Sequence, residues 1–206
     1  MKLLEGKTAL ITGANAGLGF ATAKKFCDNG IITYVNGRNE EKTLQACKEL
    51  GENARPFILD LNNLDEIPSA IKKLGEEAGG LDILVNNAGN AHGLDPIQDG
   101  NIEDWEAMID MNVKGLLYVS KAVIPQMVER KEGQIINIGS IAGKEVYQNG
   151  NVYSASKHAV DAINKGMRID LNEFGIRVGA INPGLVHTDF SKVRFKGDTE
   201  RAESVY

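Results

Sequence analysis

The segment NVYSASKHAV places Tyr153 and Lys157 four residues apart, a separation that sets both side chains on one face if the segment is helical. A tyrosine with an ordinary pKa of about 10 is a poor base at neutral pH, and an adjacent ammonium favours its phenolate. A hundred- to thousandfold gain in phenolate corresponds to about 3 to 4 kcal/mol, which a cation in a partly desolvated site can supply. Taken alone, the pair reads as a weak structural contact between successive helical turns, since such pairs are common on helices. Ser140 follows the apolar run IINI, where its hydroxyl could hold a carbonyl oxygen beside the tyrosine. Asn112, within MIDMNVKG, sits inside a helical pattern that disfavours asparagine, and its amide could instead bind a water.

A second group of residues suits a phosphate. In TGANAGLGF, Gly13, Gly17 and Gly19 stand between a β-type run and a helical pattern. Glycines there let the backbone turn tightly against a pyrophosphate, which the helix N-terminus meets with free N–H groups. The spacing departs from G-x-G-x-x-G, and a simple flexible turn is the other reading. Further on, YVNGRNEEK carries Gly37 and Arg38 where an acid would read a ribose 2′-hydroxyl, a substitution that favours NADP over NAD. Arg38 is otherwise a solvated charge near Glu40 and Glu41. Asp60, in ILDLNN, suits either an adenine amino group or an Asx turn. Asn86, Asn87, Ala88 and Gly89 close another apolar run and offer a backbone-rich edge for a cofactor.

The elements that must position these groups follow from the pattern. The runs TALIT, IITYVN, ARPFIL, LDILVNN, GQIINI and IRVGAIN alternate with amphipathic segments such as GFATAKKFCDN and NEEKTLQACKEL. Such alternation implies an α/β fold: a doubly wound, mainly parallel sheet with helices on both faces, three layers in all. The irregular stretches, about 87–100, 140–150 and 183–197, each follow the carboxyl end of a strand, where open α/β sheets bind ligands. At 206 residues a single domain over 1–206 is expected.

Composition narrows the partners. Apolar residues at 42% and charged ones at 25% are ordinary for a globular protein, and a net charge of -5 gives no footprint for nucleic acid or anionic membrane. No apolar run approaches the roughly 20 residues of a membrane helix, and MKLLEGKTALITG contains no secretory apolar core, so a cytoplasmic location is expected. Cys27 and Cys47 read as buried and inert. His92, His158 and His187 have no second ligand at metal-binding spacing, so no metal is expected.

Taken in order, TGANAGLG, Asn86 to Gly89, Asn112, Ser140, Tyr153 with Lys157, and Pro183 with Gly184 resemble the short-chain dehydrogenase/reductase family across essentially the whole chain. The resemblance implies a Rossmann-type fold and hydride transfer between a nicotinamide and a hydroxyl or carbonyl carbon. It implies Tyr153 as general acid/base, Lys157 lowering its pKa and holding the nicotinamide ribose, Ser140 on the reacting oxygen, and Asn112 anchoring a water. It places NADP(H), preferred over NAD(H), against Gly13, Asn15, Gly17, Leu18, Gly19, Arg38, Asp60, Leu61, Asn87, Ala88, Gly89, Tyr153, Lys157, Pro183, Gly184, Val186 and Thr188.

A narrower likeness, strongest in FSKVRFKGD, is to NADP-dependent 3-hydroxy acid dehydrogenases that also oxidise serine and allo-threonine. There Arg194 and Lys196 either meet a substrate carboxylate or form a solvated basic loop. A 3-oxoacyl-carrier-protein reductase and a non-catalytic NADP sensor are the alternative functions. Family members usually continue for several dozen residues beyond the position of Tyr206, through a helix and a final strand, so a longer protein is expected. Without that strand a bare sheet edge follows. The resemblance also implies a homodimer through the helices carrying Asn112 and Tyr153, or a homotetramer.

Overall fold

A computed structural model describes residues 4–203. Six strands, β1 (Thr8–Ile11), β2 (Ile32–Gly37), β3 (Ala54–Ile58), β4 (Ile83–Asn86), β5 (Gly133–Ile138) and β6 (Ile176–Ile181), form one sheet in the order β3-β2-β1-β4-β5-β6. Every neighbouring pair is parallel, so the mainly parallel sheet expected from the sequence is wholly parallel among the described residues. The order reverses between β1 and β4, and the crevice at that switch point is where such sheets take a ligand.

The strands are apolar on both faces because helices cover both. In β1, Ala9 and Ile11 pack into one core with Ala23, Cys27 and Cys47 of α1 (Gly17–Cys27) and α2 (Glu40–Leu50). Leu10, between them, points the other way and packs with Ile71, Val119, Val123 and Met127 of α3 (Ile67–Ala78) and α5 (Leu116–Arg130). This is the period of two expected of a strand, filled apolar on both sides as in buried parallel sheets. Both cysteines are buried, and burial pushes the Cys47 thiol up to about 11, so neither is poised as a thiolate.

The helix ends are set by local chemistry. Asn39 caps α2 by accepting from Lys42 N at 2.8 Å, and Glu40 and Glu41 complement the dipole in its first turn. Asn101 does the same for α4 (Ile102–Ile109), accepting from Asp104 N at 3.2 Å. Pro68 opens α3, and Gly79, left-handed at φ 67°, closes it.

Between α4 and α5 the chain stays helical but widens into a π turn, Asp110–Gly115, which the sequence pattern does not show. After β5 a short 3-10 turn leads to α6 (Asn151–Asp170), the long helix carrying Tyr153 and Lys157. Beyond β6, the stretch expected to be irregular folds in part into α7 (Phe190–Arg194) and is followed by α8 (Thr199–Glu203). Strand β6 is the sheet edge among the described residues. No helix among them is long and apolar enough to cross a membrane.

Candidate active site

The loop after β1 turns through Gly13 and Gly17, both left-handed with φ 59° and 56°. A Cβ on Gly13 would lie 3.0 Å from Ala88 Cα, so this turn packs directly on the Asn87–Gly89 edge. Gly19 is buried for a different reason: a Cβ there would stand 2.5 Å from both Asn87 Nδ2 and Gly13 O. The first turn of α1 thereby closes onto the end of β1. No side chain caps α1 and no acid stands in its first turn, so its opening amides and positive dipole face outward beside exposed Leu18. That is the arrangement a pyrophosphate fits.

Three further residues hold this floor in shape. The Thr12 hydroxyl accepts from the amides of Asn87 and Ala88, at 2.9 Å each, while Asn87 Nδ2 donates back to Thr12 O at 2.8 Å and Gly13 O at 3.0 Å. Asn36, 2% exposed, accepts from Gly13 N at 3.3 Å and donates to the carbonyls of Phe57 and Leu59, tying together the ends of β1, β2 and β3. Thr43 accepts from Asn15 Nδ2 at 3.2 Å, and a Cβ on Gly37 would collide with both side chains. Asn15 is thus aimed at α2, with Arg38 exposed just past it. The signals were faint: a threonine before the glycines and a single asparagine inside an apolar run.

Other sequence-level expectations meet the structure as follows. Asp60 forms the Asx turn, accepting from Asn62 N at 3.0 Å and Asn62 Nδ2 at 2.8 Å through Oδ1. The Leu61 side chain is in the core with Ile67, so only its backbone is available to a cofactor. Asn86 points inward, 3% exposed, donating to Ser120 Oγ at 2.9 Å and Asn137 Oδ1 at 2.8 Å, and so leaves the exposed edge to its three successors. Pro183, Gly184 and Val186 lie on the loop after β6. Thr188 ends that loop beside the glycine turn, 3.8 Å from where a Gly17 Cβ would be.

The π turn accounts for Asn112. Its amide is 1% exposed and fully engaged: Oδ1 accepts from Asn90 N at 2.8 Å, and Nδ2 donates to Asn90 O at 2.9 Å and Ser156 Oγ at 3.0 Å. Ser156 in turn donates to Tyr153 O at 2.7 Å. The Asn112 side chain thus has an architectural task. It clamps the loop after Gly89 to the first turn of α6, because these backbone groups already satisfy it.

Tyr153 and Lys157 do lie on one helix, with Ser140 at the end of β5 facing them. The Tyr153 phenol stands near Ser140, whose Oγ accepts from Ala142 N at 3.1 Å. Burial pushes the Tyr153 pKa above its usual value, opposed by the Ser140 hydroxyl and by the charge of Arg194. Lys157, 6% exposed, donates to Ile138 O at 3.0 Å and stands 6.0 Å from the tyrosine ring centre. Burial alone brings its pKa down to about 8. In this arrangement the ammonium is turned to the Ile138 carbonyl. A Cβ on Gly89 would meet this ammonium at 3.5 Å, which sets Lys157 beneath the same edge that Thr12 holds.

The segment after β6 roofs the site. Phe190 packs on Tyr153 with ring centres 6.0 Å apart. Arg194, 8% exposed, lies among Tyr147, Tyr153 and Phe195 and donates from Nε to Gly93 O at 2.9 Å, while Gly93 N donates to Arg194 O at 3.1 Å. Lys196 pairs with Asp104 at 3.0 Å, so it is not a free partner for a carboxylate. A cleft of about 290 Å³, counting its open mouth, lies below, lined by His92, Asp95, Trp105, Tyr153 and Arg194 among others. His158 and His187 are exposed, and among the described residues no group of His, Cys, Asp or Glu could hold a metal ion.

The model of the family described as short chain dehydrogenase matches residues 7–199. A Salmonella typhi protein named NADP-dependent 3-hydroxy acid dehydrogenase is 49% identical over 199 residues, covering 96% of this chain and 80% of the relative. The Escherichia coli K12 protein of the same name is 46% identical over 198 residues, with the same coverage of each. Among solved structures, the closed form of serine dehydrogenase complexed with NADP+ superposes with a TM-score of 0.90 at 45% identity, over 97% of this chain and 81% of that one. Likeness in sequence and in backbone thus extends over the same span, from the first strand to the roof of the site, and the chain belongs to the short chain dehydrogenase family.

Proposed function

We propose that this protein is an NADP-dependent oxidoreductase acting on the hydroxyl or keto carbon of 3-hydroxy acids and β-hydroxy amino acids. The observation that carries the reading is the Tyr153 phenol lining the cleft with Ser140 near it, on the helix that also carries buried Lys157. Names borne by the relatives, NADP-dependent 3-hydroxy acid dehydrogenase and serine dehydrogenase, support the cofactor and the substrate class.

The α1 N-terminus with Gly13, Gly17 and Gly19 would hold the pyrophosphate, Arg38 the 2′-phosphate, and Asn87 to Gly89 with Thr188 the nicotinamide half. When bound, the nicotinamide supplies or accepts the hydride at the reacting carbon. Tyr153, kept protonated at neutral pH by burial, donates its proton to the oxygen of a ketone as that oxygen gains charge, while Ser140 holds the same oxygen. In the oxidative direction the phenol must first lose its proton, and it then takes the proton of the alcohol. Arg194 is the cation that favours this phenolate in the absence of ligand. Lys157 lies below Gly89, where its ammonium suits ribose hydroxyls. Asn112 acts through position, holding Asn90 and, through Ser156, the backbone at Tyr153.

The same reading treats 1–206 as one catalytic domain in the cytoplasm. Exposed Leu117 and Tyr118 on α5 and Ile169 on α6 support two-fold pairing through those helices, testable by sedimentation. The function itself is tested by following NADP+ reduction with serine, allo-threonine and 3-hydroxybutyrate, with Tyr153→Phe beside the parent. Tyr153-dependent turnover is expected. Turnover restricted to a thioester ketone, or unchanged in Tyr153→Phe, would overturn the reading.

A further inference from the structure

Arg194 is an unusual arginine. It is 92% buried, yet among the described residues its side chain makes one hydrogen bond, from Nε, and no carboxylate pairs with it. Guanidinium groups this enclosed are ordinarily paired. Three rings hold its plane instead: the guanidinium carbon lies 5.6 Å from the Tyr147 ring centre, 5.7 Å from that of Tyr153 and 5.9 Å from that of Phe195. With Nε tied to Gly93 O and three rings about it, the guanidinium is held at the cleft that Arg194 lines, and its η nitrogens make no hydrogen bond among the described residues.

The neighbouring cations are already taken. Lys192 pairs with Asp189 at 2.8 Å, Lys196 with Asp104 at 3.0 Å, and Arg201 meets Asp95 at 3.7 Å and donates to Leu94 O at 3.3 Å. The two acids that line the cleft, Asp95 and Asp104, each have a cation beside them, which weakens the repulsion they would exert on an entering anion. One cation without a carboxylate remains there, on the ring of the tyrosine that meets the reacting oxygen.

We propose that Arg194 is the receptor for the substrate carboxylate and the residue that restricts this enzyme to hydroxy acids. The proposal rests on the oxidoreductase reading above and deepens it. A planar guanidinium fork matches a carboxylate with two parallel hydrogen bonds, which a lysine at the same position cannot reproduce. Gripping the acid there, with the hydroxyl at Ser140 and Tyr153, holds both ends of a short substrate. Lys196, the other basic candidate of this segment, stays a latch to Asp104.

The test compares 3-hydroxybutyrate with its methyl ester, in the parent, Arg194→Met and Arg194→Lys, with NADP+ affinity and thermal midpoint measured on each. In Arg194→Met the ratio of kcat/KM for acid over ester is expected to fall by about 30- to 100-fold, mainly through KM, with NADP+ affinity unchanged. Arg194→Lys, which keeps the charge but loses the fork, is expected to fall by about fivefold and serves as the test if the methionine variant does not fold. A parallel loss on acid and ester would assign Arg194 to propping the roof or tuning Tyr153, and would overturn the proposal. So would an unchanged ratio, while a parent still preferring the acid would leave the oxidoreductase reading standing. A parent that oxidises the ester as well as the acid would sink the substrate class and the receptor together.

Discussion

The two walls of the site are built on opposite plans. Around β1, β2 and β4 the polar side chains are mostly spent on backbone: Thr12 and Asn87 exchange hydrogen bonds, Asn36 holds Gly13 N and the carbonyls of Phe57 and Leu59, and the glycines leave little room for adjustment, while Asn86 Oδ1 has no partner among the described residues. Around β5, α6 and α7 the charged and titrating groups are left short of partners. Tyr153 is half-buried against Phe190, Lys157 is buried with one carbonyl, the Arg194 side chain is buried with one hydrogen bond, and Ser154 Oγ has no partner among the described residues. The first wall reads as a surface preorganised for a large, constant ligand, and the second as one whose interactions are completed only by ligand. Incomplete satisfaction costs stability, and the fold concentrates that cost where chemistry is carried out.

The sharpest way to strain this contrast is at Tyr153. Tyr153→Phe is expected to lower turnover by about 10² to 10⁴ while NADP+ affinity, read by fluorescence quenching, changes by less than about threefold. Thr12→Val strikes the satisfied wall instead, leaving two amides without their acceptor. A loss of about 2 to 4 kcal/mol in urea unfolding is expected, together with weaker cofactor binding. A loss under about 0.5 kcal/mol would show that the floor does not depend on that hydroxyl.

Lys157 gives the opposite sign. Its folded pKa of about 8 lies below the ordinary lysine value of about 10.4, so the stabilising share of this linkage is complete only above about pH 10 and lost as pH falls through 8. Lys157→Met is therefore expected to be more stable than the parent at pH 7, by about 1 to 2 kcal/mol after the Ile138 carbonyl loses its donor, and the gap should narrow towards pH 10. Calorimetry across that range checks it, and a variant less stable at pH 7 would contradict it. Smallest of the four, Arg38→Ala is expected to weaken NADP+ by about tenfold and NAD+ by less than about twofold. Equal losses on the two cofactors would take Arg38 out of the phosphate site.

Much of this molecule was legible along the chain. Six apolar runs correspond to six strands with ends within two residues of those observed, because the central runs are covered on both faces and most end where a glycine or asparagine follows. The glycine turn and the four-residue spacing of Tyr153 and Lys157 were legible for the same reason: both depend on separations within one element. The π turn was not, since the residues from Ile102 to Arg130 keep an unbroken helical pattern and the widening serves a partner, Asn90, on another loop.

Sequence by itself determined the alternation of strands and helices, the position of the phosphate turn and the identity of the acid/base candidate, because these are set by periodicity and by contacts a few residues long. Tertiary structure alone decided which polar groups are spent on architecture. It turned Asn112 and Thr12 into clamps between segments more than twenty residues apart, directed Lys157 to a carbonyl rather than to the phenol, and buried Arg194 among aromatic rings brought together from two segments. The physical reason is that burial and hydrogen-bond satisfaction belong to the assembled neighbourhood, and a side chain's charge, donor count and spacing say nothing of what will stand opposite it.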